Sequence, residues 1–319
     1  MILKKTNHPL SGFASGFSLL EIAVVLIIIA FIGAATLNMS TGAIQTKRRT
    51  ATFDRAEAIQ TAIALYVSQN KRLPCPADGT AAQGTAAAGR EVARDANQDC
   101  AAQTTGTVPY IALGLSEDVV TDGWNSRFTY RVASGAGQEL SRDRGMDMSD
   151  CDPSGIGSVA TESVPARTKA CSSSCASVKA CTPITLVPPA TSTESCTTTL
   201  SASCTSPTKF LLNKGFTIQD GAAPPAILAD PASFTGAGYV LISHGENLIG
   251  AYSSQGVLLT GAVAAGTNET TNSNNRALQA IYIDAQYNAS ETTAHFDDII
   301  FRPTIAQIID RAKLGARSH

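Results

Sequence analysis

The sequence predicts an α+β protein in which a long N-terminal, membrane-anchored helix packs on an antiparallel β-sheet head that carries a disulfide-rich insertion. Three observations predict this class. An apolar run lies close to the N-terminus, a proline-free stretch of helical periodicity follows it, and the remainder contains short alternating segments separated by turns. A chain of 319 residues is long enough for one large domain or two modest ones.

The composition narrows the class of function. Charged residues make up 16% of the chain and the formal net charge is −2. There is no basic surplus to neutralise a phosphate backbone, so we expect no general nucleic-acid binding. Few charges and eight cysteines favour an extracytoplasmic protein.

The apolar run covers residues 17–35, and Lys4 and Lys5 precede it. A helix over this run covers most of a bilayer core of about 30 Å, so a membrane span is expected over about residues 17–37. A secretory signal peptide and a plain signal anchor are two alternatives. Neither explains Glu21, because a carboxylate in an apolar helix is costly unless it has a partner.

The residues around Glu21 suggest a third alternative. Residues 16–21, GFSLLE, resemble the cleavage and methylation motif of type IV prepilins and of the pseudopilins of type II secretion. The resemblance implies that residues 1–16 are a leader cut after Gly16, that Phe17 becomes the N-methylated first residue, and that Glu21 stands fifth.

The same resemblance implies a mode of assembly and a location. The amine freed at Phe17 would pair with Glu21 of a neighbouring subunit as the helices pack side by side. The implied partners are other pilin or pseudopilin subunits, a prepilin peptidase and methyltransferase, and the bacterial inner membrane. The chain would be a single-pass protein with a periplasmic head, reaching the cell surface in a pilus after assembly.

The helix is predicted to continue beyond the apolar run. Residues 41–70 contain no proline, and apolar residues recur there at spacings of three and four until Pro74 ends the pattern. We therefore expect one long helix over residues 17–72 and a globular head over residues 73–319.

Strands and turns are predicted in the head. Residues 127–132 alternate strictly, as in a half-buried strand, and further strands are expected at residues 239–242 and 296–301. Ile305 and Ile308 begin a short amphipathic helix. The order of these segments resembles that of pilin-like minor subunits and, distantly, the head of the major pseudopilin.

An insertion at about residues 135–235 interrupts the head. Residues 151–209 contain no aromatic residue and are rich in Ser and Thr, so disulfides are expected to replace core packing there. A metal site is the alternative, although the spacing lacks paired CxxC motifs. Cys75 and Cys100 form a natural pair outside the insertion. The other disulfide candidates are Cys151, Cys171, Cys175, Cys181, Cys196 and Cys204.

No enzyme is predicted. Ser243 and His244 with a nearby aspartate suggest a catalytic triad, but adjacent strand residues point to opposite faces and would not meet. The insertion is expected to be either a binding loop for a surface ligand or a tolerated surface addition.

Calcium is the one cofactor that the sequence suggests. Asp297 and Asp298, with Glu269, Asn272 or Asn274, offer the hard oxygens that calcium prefers. The expectation comes mostly from resemblance to the pseudopilin head, whose C-terminal acidic loop binds calcium. The alternative to a calcium site is that these side chains cap turns and face solvent.

The predicted function is that of a minor type IV pilin-like structural subunit, assembled into a pilus or at its tip. Its size and insertion argue against the most abundant subunit. Two alternatives remain: a pseudopilin that drives protein secretion rather than cell adhesion, and a membrane-anchored periplasmic binding protein that never polymerises.

Overall fold

The fold comprises three α-helices and eleven short strands within the described residues of a computed structural model. The described residues are 19–101, 103, 105–135, 137–143, 145–146, 161–162, 180–183, 194–197, 211–260, 266–273, 281–288 and 294–314.

Helix α1 spans Leu19–Asn70 and is 52 residues long. It ends where Lys71 adopts a positive φ of 56° and its N–H donates to the Val67 carbonyl, and Pro74 follows shortly afterwards. Helix α2 spans Thr267–Asn272 and helix α3 spans Ile305–Arg311.

A reciprocal cap begins α3, the short helix that the amphipathic pattern at Ile305 predicts. The Thr304 hydroxyl accepts a hydrogen bond from Gln307 N, and the Gln307 side chain accepts one from Thr304 N.

Five strands form the main sheet, in the order β1-β2-β3-β9-β11, and every neighbouring pair in it is antiparallel. Two smaller sheets have the orders β10-β7-β8 and β4-β6-β5, and β10 pairs with β7 in parallel. The strands are β1 (Ala77–Asp78), β2 (Gly106–Thr107), β3 (Thr129–Val132), β4 (Thr161–Glu162), β5 (Ala180–Pro183), β6 (Glu194–Thr197), β7 (Thr217–Gln219), β8 (Ile227–Ala229), β9 (Tyr239–Ser243), β10 (Ile281–Ile283) and β11 (Ile299–Phe301).

The chain divides into two compact units, Met1–Lys47 and Arg48–His319. In the first unit, the described side chains belong to the N-terminal part of α1. In the second unit, the rest of α1 contributes Ala56, Ile59 and Ile63 to a single core shared with the main sheet. These three residues are three and four positions apart, which is the spacing from which the helix face was predicted.

The membrane anchor in the predicted fold class is wrong. No helix in the described part of the chain combines the length and apolar character needed to cross a bilayer. The predicted location as a single-pass inner-membrane protein with a periplasmic head is wrong for the same reason.

Strand β3 is buried on both faces, whereas its alternating sequence predicts burial on one face only. Tyr130 faces the apolar core, and its ring lies 5.5 Å from that of Tyr239. Thr129 and Arg131, on the opposite face, are also buried. A layer of polar side chains covers this second face, and alternation alone does not reveal such a layer.

Candidate metal centre

Three segments converge beside the end of β9: helix α2, the turn after β9 and the extended segment that leads into β11. Gly266 brings two of them together, because a Cβ at this position would collide with the carbonyl group of His295. The start of α2 can therefore approach the segment before β11 only without a side chain at residue 266.

Glu269 lies in the first turn of α2 and is 2% exposed. Its Oε2 accepts hydrogen bonds from Gly266 N at 3.1 Å and from Asn247 Nδ2 at 2.8 Å. Its Oε1 accepts one from Asp297 N at 2.6 Å. One carboxylate thus joins all three segments.

Asp297 is held by the turn after β9. Its Oδ2 accepts hydrogen bonds from the backbone N–H groups of Glu246 at 2.7 Å and Asn247 at 2.8 Å. Its Oδ1 is buried and accepts no hydrogen bond from the described residues. An uncompensated buried carboxylate oxygen is unusual and calls for a physical explanation.

His295 completes the cluster. Its Nε2 lies 3.8 Å from Glu269 Oε1 and 3.7 Å from Asp297 Oδ2. One ligand atom from each of the three residues can be chosen so that all lie within 4.8 Å of one another, and all three residues are buried.

The electrostatics of the cluster favour added positive charge. Burial, together with the neighbouring Glu269, raises the pKa of Asp297 to about 6, although the backbone N–H donors act in the opposite direction. Two carboxylates so close together in a buried site need either a proton or a cation between them.

Asp298 does not join Asp297 and Glu269, although the sequence groups the three as calcium ligands. Its Oδ1 lies 3.1 Å from His244 Nδ1, and its Oδ2 accepts a hydrogen bond from Asn272 Nδ2 at 3.0 Å. Neighbouring residues on an extended segment point to opposite sides, so Asp297 and Asp298 enter different clusters. Residue 274 lies outside the described residues.

His244 connects Asp298 to Thr129, whose Oγ1 lies 2.7 Å from His244 Nε2. This order of hydroxyl, imidazole and carboxylate is that of a catalytic triad. Thr129 is 0% exposed and His244 is 1% exposed, so this hydroxyl does not face solvent. Ser243 points away, as strand geometry requires, and its hydroxyl donates to Asp122 Oδ2 at 2.6 Å. That no enzyme is present stays a prediction.

The assembly residues of the predicted motif are only partly described. Gly16 and Phe17 lie outside the described residues, and Glu21 is exposed in the first turn of α1.

Cys75 and Cys100, the expected pair, form a disulfide. Cys181 and Cys196 lie opposite each other on β5 and β6, and nothing is described of their side chains. The remaining disulfide candidates lie outside the described residues, namely Cys151, Cys171, Cys175 and Cys204.

The sequence patterns assigned no role to His295 or to Asn247. His295 and Asp297 are two residues apart, a spacing that places both side chains on one side of an extended segment. The antiparallel bridge between Asn288 and Phe296 keeps this segment extended. That spacing was the available signal, but nothing local connects it to Glu269, which is 26 residues earlier than His295.

Comparisons with protein-family models, with curated proteins and with solved structures found no match for this chain.

Proposed function

We propose that this protein is a minor subunit of a pilin-like filament and that it assembles through the N-terminal part of α1. The observation that carries the proposal is an exposed apolar surface in the first unit, in which Glu21 is the one charged residue among residues 19–30. Its large apolar side chains are exposed, from 88% at Leu19 to 47% at Val24. The exposed set is Leu19, Leu20, Ile22, Val24, Val25, Leu26, Ile27, Ile28 and Ile29.

These residues surround the helix. Successive residues of an α-helix are rotated by about 100°, so a run of nearly consecutive apolar residues leaves no polar face. An apolar surface of this kind is a site of association. Burial of apolar surface stabilises by roughly 25 cal/mol per Å², which rewards side-by-side packing with similar helices.

Processing would prepare this segment for assembly. The resemblance at residues 16–21 supports cleavage after Gly16 by a prepilin peptidase and methylation of Phe17. The new amine would then lie about four residues before Glu21. Glu21 itself is in the first turn of α1. A carboxylate near a helix N-terminus is favourable, and a neighbouring subunit's amine would give it an ionic partner.

The rest of the chain suits a subunit of low abundance. The insertion at about residues 135–235 would have to fit at every repeat of a filament if this were the main subunit. A position at the tip removes that requirement.

The proposal is tested on protein recovered from its own host. We expect intact mass and the N-terminal peptide to show a chain that begins at methylated Phe17. We also expect Glu21→Ala to abolish recovery in the filament fraction without lowering the total amount of protein.

Glu57→Ala is the matched control, because Glu57 is an exposed acid on the same helix whose partner, Arg311, is also exposed. It removes only a surface ion pair, worth about 0–1 kcal/mol. Normal filament recovery of Glu21→Ala, or a mature chain that begins after the apolar run, would refute the proposal. Lost protein secretion, with filaments of the cell surface unaffected, would identify a pseudopilin instead.

A further inference from the structure

We propose that Glu269, His295 and Asp297 bind one divalent transition-metal ion, with zinc as the best match. This site goes beyond the filament function, which does not require a metal. It also differs from the calcium site expected from the sequence, because His295 takes part and Asp298 does not.

The separation of the ligand atoms suits an ion in the middle. Zinc lies about 2.0–2.2 Å from nitrogen and oxygen ligands, so two ligands of a tetrahedral ion are about 3.4 Å apart. His295 Nε2 lies 3.7 Å from Asp297 Oδ2 and 3.8 Å from Glu269 Oε1. The ligand atoms of all three residues lie within 4.8 Å of one another, so the side chains would have to draw closer together to enclose an ion.

The oxygen atoms keep lone pairs for a metal. Glu269 Oε1 accepts a hydrogen bond from Asp297 N, and a carboxylate oxygen has room for a second partner. Asp297 is 4% exposed, and its Oδ1 accepts no hydrogen bond from the described residues. This buried oxygen is the second, independent indication of a ligand, since a cation would supply the partner that it lacks.

The surrounding hydrogen bonds hold the ligands in place. Asn247 donates through Nδ2 to Glu269 and through its backbone N–H to Asp297, so one residue orients both carboxylates. Outer hydrogen bonds of this kind fix the ligands of metal sites.

The donor set favours a transition metal over calcium. Calcium takes six to eight oxygen ligands, whereas this cluster offers an imidazole nitrogen and two carboxylates. One histidine with carboxylates is a ligand set that zinc and similar ions accept. The ion would also neutralise two buried negative charges that lie side by side.

Metal binding would stabilise the fold by joining α2 to the segment that leads into β11. The experiment uses the purified full chain, stripped with a chelator and then titrated with ZnCl₂. We expect one zinc per chain, a melting temperature that rises by several degrees, and no comparable rise with CaCl₂.

His295→Gln should weaken zinc binding at least tenfold, whereas Glu246→Gln should leave it unchanged. Glu246 is the matched control because it is an exposed acid beside the cluster that contributes only its backbone N–H.

Crystals of the wild-type chain grown with zinc keep the test decisive if a variant does not fold. Anomalous scattering at the zinc edge should locate the ion within bonding distance of His295 Nε2. No bound zinc, an ion located elsewhere, or a preference for calcium would overturn the proposal.

Discussion

Glu91 shows how one partly buried carboxylate secures the point where α1 leads into the head. It accepts hydrogen bonds from the Tyr66 hydroxyl at 2.6 Å, from Arg72 Nη1 at 2.8 Å and from Cys75 N at 2.9 Å. The end of the helix, the connection after it and the start of the first disulfide loop therefore share one acceptor. Hydrogen bonds to a charged group contribute about 1.5–3 kcal/mol each when buried, more than neutral ones.

Glu91→Gln should lower the free energy of unfolding by about 1–3 kcal/mol at pH 7, since the charge that holds Arg72 is lost. Burial raises the pKa of Glu91, but the hydrogen bonds from Arg72, Tyr66 and Cys75 outweigh it and lower the pKa overall. The contribution of Glu91 is therefore fully present above the pKa of the unfolded chain, about 4.3.

That contribution is lost as the pH falls through the lower pKa of the folded protein. Denaturant titrations at pH 7, 5, 4 and 3 should show wild type losing more stability in acid than Glu91→Gln does. Parallel losses in the two proteins would show that the carboxylate does not carry this effect.

At the scale of the element, α1 has two parts with different surroundings. Its C-terminal part packs Ile59, Ile63 and Val67 into the core of the second unit, each at 0% exposure. Leu65, on the opposite side of the same part, is 59% exposed. The energetic role of an apolar residue in α1 thus depends on the face that it occupies.

Ile63→Ala should lower the free energy of unfolding by about 2–5 kcal/mol, because it leaves a cavity in the core. Leu65→Ala removes a similar side chain from the same helix and should change it by less than about 0.5 kcal/mol. Urea titration of both variants measures the difference. Equal losses would mean that the helix does not pack on the sheet through the face described.

Short-range patterns explain how much of these elements the sequence could predict. The spacing of Ile59 and Ile63, and the position of Pro74, predict the C-terminal part of α1 and its end near Asn70. Strands β9 and β11 follow from their apolar residues. The polar layer over β3 could not be predicted, because His244 and Asp298 reach Thr129 and Asn272 from distant parts of the chain.

The candidate metal centre has the same limit. The sequence groups Glu269, Asp297 and Asp298 as calcium ligands, whereas the structure brings Glu269 and Asp297 together with His295. Which acid turns inward depends on alternation along a short extended segment and on the approach of α2, which Gly266 permits. Both are tertiary features.

At the scale of the whole molecule, the two compact units have different physical characters. The second unit contains a core shared by a helix and a five-stranded sheet. The described side chains of residues 19–30 in the first unit are all exposed. The predicted membrane anchor is wrong, because no helix in the part of the chain that the structure describes is both long and apolar enough to cross a bilayer. Association between copies or related subunits is the proposed reason for the exposed surface.

The most direct test of the central claim replaces Ile27, which is 56% exposed, with a photo-crosslinking amino acid in the host. The account predicts a light-dependent product in which residue 27 is joined to the apolar N-terminal helix of another filament subunit, as identified from the crosslinked peptide. The same cells kept in the dark are the control. A chain that stays monomeric after illumination, at normal protein levels, would contradict assembly through α1.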